Sequence, residues 1–219
     1  MSLPTSNFSN SDAFASDCAL LFSAHEPSQK ILQALLLEYQ RPERQYHNLN
    51  HIEEMSSWLR AYRSDLESYS ACFLACLYHD VVYDTRASDN ELRSSRRARD
   101  DLGAMGFDEN LIKTVELLIE STASHTPRLD NFDCKLFLDA DLAILGSNRA
   151  RYDAYLSGVR AEYAWVSEEV YRAKRSLVLN SFLKRERIYL TDLLHTKLDS
   201  AARSNLRYEI ELLSRTTAS

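Results

Sequence analysis

Glycine and proline are scarce in this chain, with four of each in 219 residues. That leaves little of the turn chemistry on which an all-β fold depends. No apolar run reaches the roughly 18 residues of a membrane-spanning helix. The four cysteines, Cys18, Cys72, Cys76 and Cys134, include no Cys-x-x-Cys pair, so neither a zinc ribbon nor a disulfide framework is legible. Cys72 and Cys76 stand four apart in an apolar stretch and read as buried, reduced thiols. Positive charge is also short. A net charge of -6 argues against a nucleic-acid polymer or a membrane surface as the main partner. Residues 1–12 lack the basic start and apolar stretch of an export signal and read as a flexible, Ser/Asn-rich leader. A cytoplasmic protein is the expectation.

What the chain has in abundance is helical periodicity. Ser28 can cap a helix whose apolar face is Ile31, Leu32, Leu35, Leu36 and Tyr39. Arg41-Pro42 closes it, because the residue before a proline is pushed out of the helical region. A second helix should start near residues 48–51 and run through Ile52, Met55, Trp58 and Leu59. A third, over Tyr69–Tyr78, is apolar nearly all round, as a central helix is. Asp89 or Asn90 should cap a charged helix that ends at Gly103. Further helices are predicted over 111–122, 134–145, 150–166, 168–185 and 200–214, with Ser167 and Ser200 as caps. No strand pattern exceeds residues 81–83. The fold class is therefore all-α, with residues 13–219 read as one helical domain.

Chemistry concentrates in two short segments, Tyr46-His47-Asn48-Leu49-Asn50-His51 and Tyr78-His79-Asp80-Val81-Val82-Tyr83-Asp84. They hold three of only six histidines. Asp139-Ala140-Asp141-Leu142 adds acid further on. A His, His-Asp and Asp set drawn from separate helices can surround a divalent metal with mixed nitrogen and oxygen ligands. His47 and His51 are four apart and would point the same way from a shared helix start. Asp139 and Asp141 would lie on different helix faces, and spacing alone leaves both open as ligands.

The pattern His51, His79-Asp80, Asp141 resembles the HD superfamily of metal-dependent phosphohydrolases. Tyr46-His47-Asn48 followed by His51 is similar to the first metal motif of cyclic-nucleotide phosphodiesterases, where the first histidine donates a proton and the second binds metal. His79-Asp80-Val81-Val82-Tyr83-Asp84-Thr85 resembles a motif of bacterial alarmone hydrolases, with Tyr83 standing where that motif has Glu. The motif match spans roughly residues 46–145. Phe182-Leu183, Arg185 and Ile188-Tyr189 resemble the group of predicted metal-dependent HD phosphohydrolases, which extends the likeness over most of the chain. This implies an HD-type helical bundle with extra C-terminal helices. It also implies metal binding by His51, His79, Asp80 and Asp141, the last selected over Asp139 by the family's Ala-Asp segment.

On that reading His47 is the proton donor and Asp84 orients or deprotonates water. His125, near a helix end, is a candidate for a second metal or the substrate phosphate. Arg93 and Arg97, one turn apart, could clamp phosphate oxygens, although arginines at this density also make solvated helix faces. Manganese, magnesium, iron, cobalt and nickel all suit such ligands. The expected reaction is hydrolysis of a nucleotide or other small phosphoester by metal-activated water. The sequence leaves room for an oligomer. Two rival readings are a non-catalytic metal- and nucleotide-binding module and an HD-type diiron oxygenase. The latter is short of ligands, since only His125 lies between Asp80 and Asp141.

Overall fold

The computed structural model describes residues 7–22 and 26–215. They hold helices and no strand, as the periodicity predicts. The described residues divide into two compact units, the first ending at Ala140 and the second beginning at Asp141. The division falls at the last residue of a helix that otherwise belongs to the first unit.

The first unit is built from α1 (Asn7–Phe22), α2 (Glu26–Tyr39), α3 (Leu49–Ala61), α4 (Tyr69–Tyr78), α5 (Asn90–Ala104), α6 (Glu109–Thr122) and α7 (Phe132–Asp141). The expected leader lies outside the described residues over its first six positions, and from Asn7 the chain is in α1. Ser28 does not start a helix. It lies inside α2, which begins at Glu26. α4 is the central element, buried along its length except at Ser70, and α3, α5 and α6 pack around it. Each fully buried Leu or Phe on it contributes roughly 1.5–3 kcal/mol. Its start is held from two directions. The Ser68 hydroxyl accepts from Ala71 N at 3.2 Å, and the buried Asp133 carboxylate of α7 accepts from Glu67 N and Ser68 N at 2.9 and 2.8 Å. Asp17 of α1 joins the neighbouring helices, accepting from Arg60 of α3 and from the Tyr69 hydroxyl at 2.6 Å.

α5 runs past Gly103. The chain turns at Gly106, whose φ of 78° is open to glycine without strain. Gly106 N donates to Gly103 O, and Phe107 N to Leu102 O, the paired bonds of a Schellman end. All four cysteines are buried. Burial, together with Asp17, pushes the Cys18 thiol up to about 12.

The second unit holds a 3-10 helix (Leu142–Gly146), α8 (Arg149–Glu162), α9 (Glu168–Leu183) and α10 (Asp192–Ser214). The helix predicted over 134–145 thus changes to 3-10 winding after Asp141. α10 starts at Asp192, eight residues before Ser200, behind the N-cap Thr191, whose side chain accepts from Leu194 N. It packs on the 3-10 segment and on α9, and Asn205 Nδ2 donates to the carbonyls of Leu145 and Ser147. No helix among the described residues is long and apolar enough to cross a membrane.

Candidate metal centre

Asn48 sets the entry of α3. Its side chain caps the helix by accepting from Asn50 N at 2.9 Å. His51 consequently sits in the first helical turn, and His47 stands before the cap rather than on the same helix face. The two rings are nevertheless neighbours, 5.9 Å between centroids. On the other side, α4 ends at Tyr78 with His79 as its C-cap. Val81 N donates to Tyr78 O, so the chain turns at once and Asp80 leaves the helical path. That turn lets two adjacent side chains face one place, which a continuing helix would prevent.

The polar atoms converge closely. His51 Nε2 lies 3.2 Å from His79 Nε2. His79 Nε2 lies 3.1 Å from Asp80 Oδ2, and His51 Nε2 lies 3.9 Å from the same oxygen. Donor atoms of His51, His79 and Asp141, the closing residue of α7, all fall within 4.8 Å of one another. Both imidazoles are buried, while Asp80 and Asp141 are partly accessible. Asp139, two residues earlier on α7, is fully buried and stands outside this cluster.

The donor chemistry fits a divalent cation. His79 Nδ1 lies 3.0 Å from the Cys76 carbonyl, an acceptor only, so Nδ1 carries the hydrogen and Nε2 presents its lone pair. His51 Nδ1 meets the Tyr46 hydroxyl at 3.3 Å, which can accept in the same sense. Imidazole nitrogens beside the carboxylates of Asp80 and Asp141 are the mixed nitrogen and oxygen donors that a divalent cation takes. Burial acts to raise the Asp80 carboxyl. When the rings are protonated, the charge on His79 first, then on His47 and His51, outweighs it and holds that group well below the usual carboxylate range.

No family model, no curated protein and no solved structure matches this chain. The reading of the site therefore rests on its own geometry.

His47 stands half-buried beside the cluster, its ring 4.4 Å from that of Tyr83 and 4.8 Å from that of Tyr46. Asp84 is exposed, and its Oδ1 accepts from Arg86 N at 2.9 Å. With Asn90 bridging its backbone groups, it closes the turn that leads into α5. Arg93 is exposed and 4.0 Å from Asp89. Arg97 donates to Asp101 Oδ2 at 2.6 Å, an oxygen that also accepts from the Tyr78 hydroxyl. Asp101 thus joins α5 to the end of α4, and Arg97 pairs with it along the same helix. His125 has a φ of 48°, the left-handed conformation. Its N–H donates to Thr122 O and Thr126 N donates to Ser121 O, so it ends α6 where a glycine more often stands.

The residue that sequence reasoning missed is Arg44. Its buried guanidinium donates to the carbonyls of His47, Asp80 and Val81 at 3.2, 2.6 and 2.9 Å. It also lies over the Tyr39 and Tyr83 rings. One side chain therefore ties the His47 segment to the His79-Asp80 turn. The only sequence signal was a lone arginine three residues before His47.

Proposed function

We propose that this chain is a divalent-metal-dependent phosphohydrolase of the HD type, acting on a small phosphorylated, nucleotide-like substrate. The observation that carries the reading is the cluster of His51, His79 and Asp141 donor atoms within 4.8 Å of one another, with Asp80 Oδ2 3.1 Å from His79 Nε2. The motif resemblance of residues 46–51, 79–85 and 139–142 supplies the reaction class.

His51, His79, Asp80 and Asp141 would hold the ion, and manganese, magnesium, iron, cobalt and nickel all suit them. When bound, a divalent ion contributes the Lewis acidity that makes water a competent nucleophile near neutral pH. The remaining work belongs to side chains. The Cys76 carbonyl keeps the His79 hydrogen on Nδ1. Asp80, anionic at neutral pH, orients what lies between the two imidazoles. His47 keeps a proton on its ring and delivers it to the departing oxygen, with Tyr83 packed against that ring to fix its plane. Such a donor contributes about 10²–10⁴-fold when its geometry is right.

One observation favours a second reading, a metal-binding module without turnover. The Asp84 carboxylate, assigned to water by the resemblance, is engaged in a local turn. Metal analysis of the purified protein, joined to a screen of nucleotides and phosphoesters, separates the two. Turnover that disappears with the metal in Asp80→Ala, at retained helical content, supports the hydrolase. Full metal occupancy in Asp80→Ala removes Asp80 from the ligand set. A metal-loaded protein inactive across the screen leaves the binding module.

A further inference from the structure

Arg44 is only 5% exposed, and a buried guanidinium costs free energy unless its donors are met. Its acceptors are all main-chain carbonyls, those of His47, Asp80 and Val81. Its charge stands 4.9 and 5.4 Å from the centroids of the Tyr39 and Tyr83 rings. No carboxylate is among these partners. One nitrogen, Nη1, serves both the His47 carbonyl at 3.2 Å and the Asp80 carbonyl at 2.6 Å. The two histidine-bearing segments therefore meet on a single atom.

The choice of acceptor has a consequence for the centre. An arginine paired with the Asp80 carboxylate would compete with a cation for the same oxygens. By gripping the Asp80 main chain instead, Arg44 fixes the residue and leaves its carboxylate beside His79, with Oδ2 3.1 Å from Nε2. The arginine is itself held in place. The buried Tyr39 beneath it donates its hydroxyl to the Leu77 carbonyl of α4 at 2.9 Å, two residues before His79. Tyr83 touches both sides of the link, its ring 4.4 Å from that of His47. All of these residues belong to the first unit.

We propose that Arg44 is the positioning residue of the metal centre: its guanidinium holds the His79-Asp80 turn in the ligating conformation before an ion arrives, and fixes the distance from that turn to His47. The inference rests on the metal-binding reading above and names what keeps its ligands in place. Ligands already in place lose less freedom on binding. Groups that orient metal ligands from outside are typically worth about 10–100-fold in affinity. A planar fork can serve several carbonyls at fixed separation, which an ammonium on a flexible stem cannot.

The test is titration calorimetry of the full-length protein with Mn²⁺, comparing wild type, Arg44→Met, Arg44→Lys and Arg60→Ala, with the melting of each followed in parallel. Arg44→Met keeps the apolar stem and removes the donors. Arg60→Ala is the control for general loosening. It removes another arginine whose donors are spent inside the first unit, on Asp17, from the far end of the helix that carries His51. The expected result is an affinity loss of about 10–100-fold in Arg44→Met, a smaller loss in Arg44→Lys, and wild-type affinity in Arg60→Ala. Wild-type affinity in Arg44→Met overturns the inference and leaves the metal site standing. Equal losses in Arg44→Met and Arg60→Ala also overturn it, because loosening then explains both. Should Arg44→Met fail to fold, Arg44→Lys decides, and wild-type affinity there overturns the inference. If the wild type binds no Mn²⁺, the metal-binding reading falls and the inference falls with it.

Discussion

At the scale of single residues, the centre shows how far side-chain identity carries an argument. His51, His79 and Asp141 announce their chemistry by type, because few residues ligate metals. Arg44 does not, since its acceptors are backbone carbonyls and those have no signature in a sequence. Arg44→Ala leaves three carbonyl oxygens without their donor and is expected to cost about 2–4 kcal/mol in urea unfolding. Arg44→Lys should recover only part of that, because an ammonium lacks the planar fork that serves several acceptors. His47 tests the assignment of roles. A proton donor can be lost without losing the metal, so His47→Ala is expected to retain bound metal. Its rate on alkyl phosphoesters should fall by about 10²–10⁴-fold, with a smaller loss on nitrophenyl esters, whose leaving groups depart unprotonated. Equal losses on both substrate types would remove the donor role.

At the scale of elements, helix existence was legible and helix ends were not. The start of α10 is the clearest case. Ser200 looks like a cap, but Asp199 just before it has tertiary duties that only a helix already under way can meet. Its carboxylate accepts from Ile188 N at 2.9 Å and from Arg203 Nε at 2.6 Å. Burial opposes the charge on Asp199, yet the bonds from Arg203 and Ile188 N outweigh it and lower its pKa. A lowered folded-state pKa means stability that is present above the unfolded carboxyl value of about 3.9 and is lost as pH falls through the folded value. Asp199→Asn is therefore expected to be less stable at neutral pH, with the difference from wild type closing as pH falls below 4 on acid titration of the unfolding free energy. Gly146 carries a different constraint, hidden in the sequence as a simple helix stop. A Cβ there would stand 2.7 Å from Leu198 Cβ and 3.0 Å from the Tyr189 hydroxyl. Leu198 Cβ cannot rotate away, so Gly146→Ala should destabilise by about 1–3 kcal/mol, the cost of overpacking, read as a lower melting temperature.

At the scale of the whole molecule, a cation bound by the native centre and not by the unfolded chain must raise apparent stability. At a hundredfold excess over the dissociation constant the gain is about 2.7 kcal/mol. For a chain of this size that corresponds to a rise of roughly 5–10 °C in melting temperature. Mn²⁺ is expected to produce this shift in the wild type and to leave Asp80→Ala unmoved. An equal shift in both proteins would show that the ion acts elsewhere.

The helical class followed from the sequence alone, because periodicity and the shortage of glycine and proline are properties of composition and order. The two histidine-bearing segments were legible for the same reason, whereas Asp141 was preferred to Asp139 only through the motif resemblance. Only the tertiary structure decided that the turn after Tyr78 brings His79 and Asp80 to one place. It also decided that Arg44 joins that turn to His47, and that Asp84 and Arg97 spend their polar atoms on local contacts. A side chain's chemistry is written in its identity, but its partner depends on which segments the fold brings together, and carbonyls and close approaches leave no mark on the sequence.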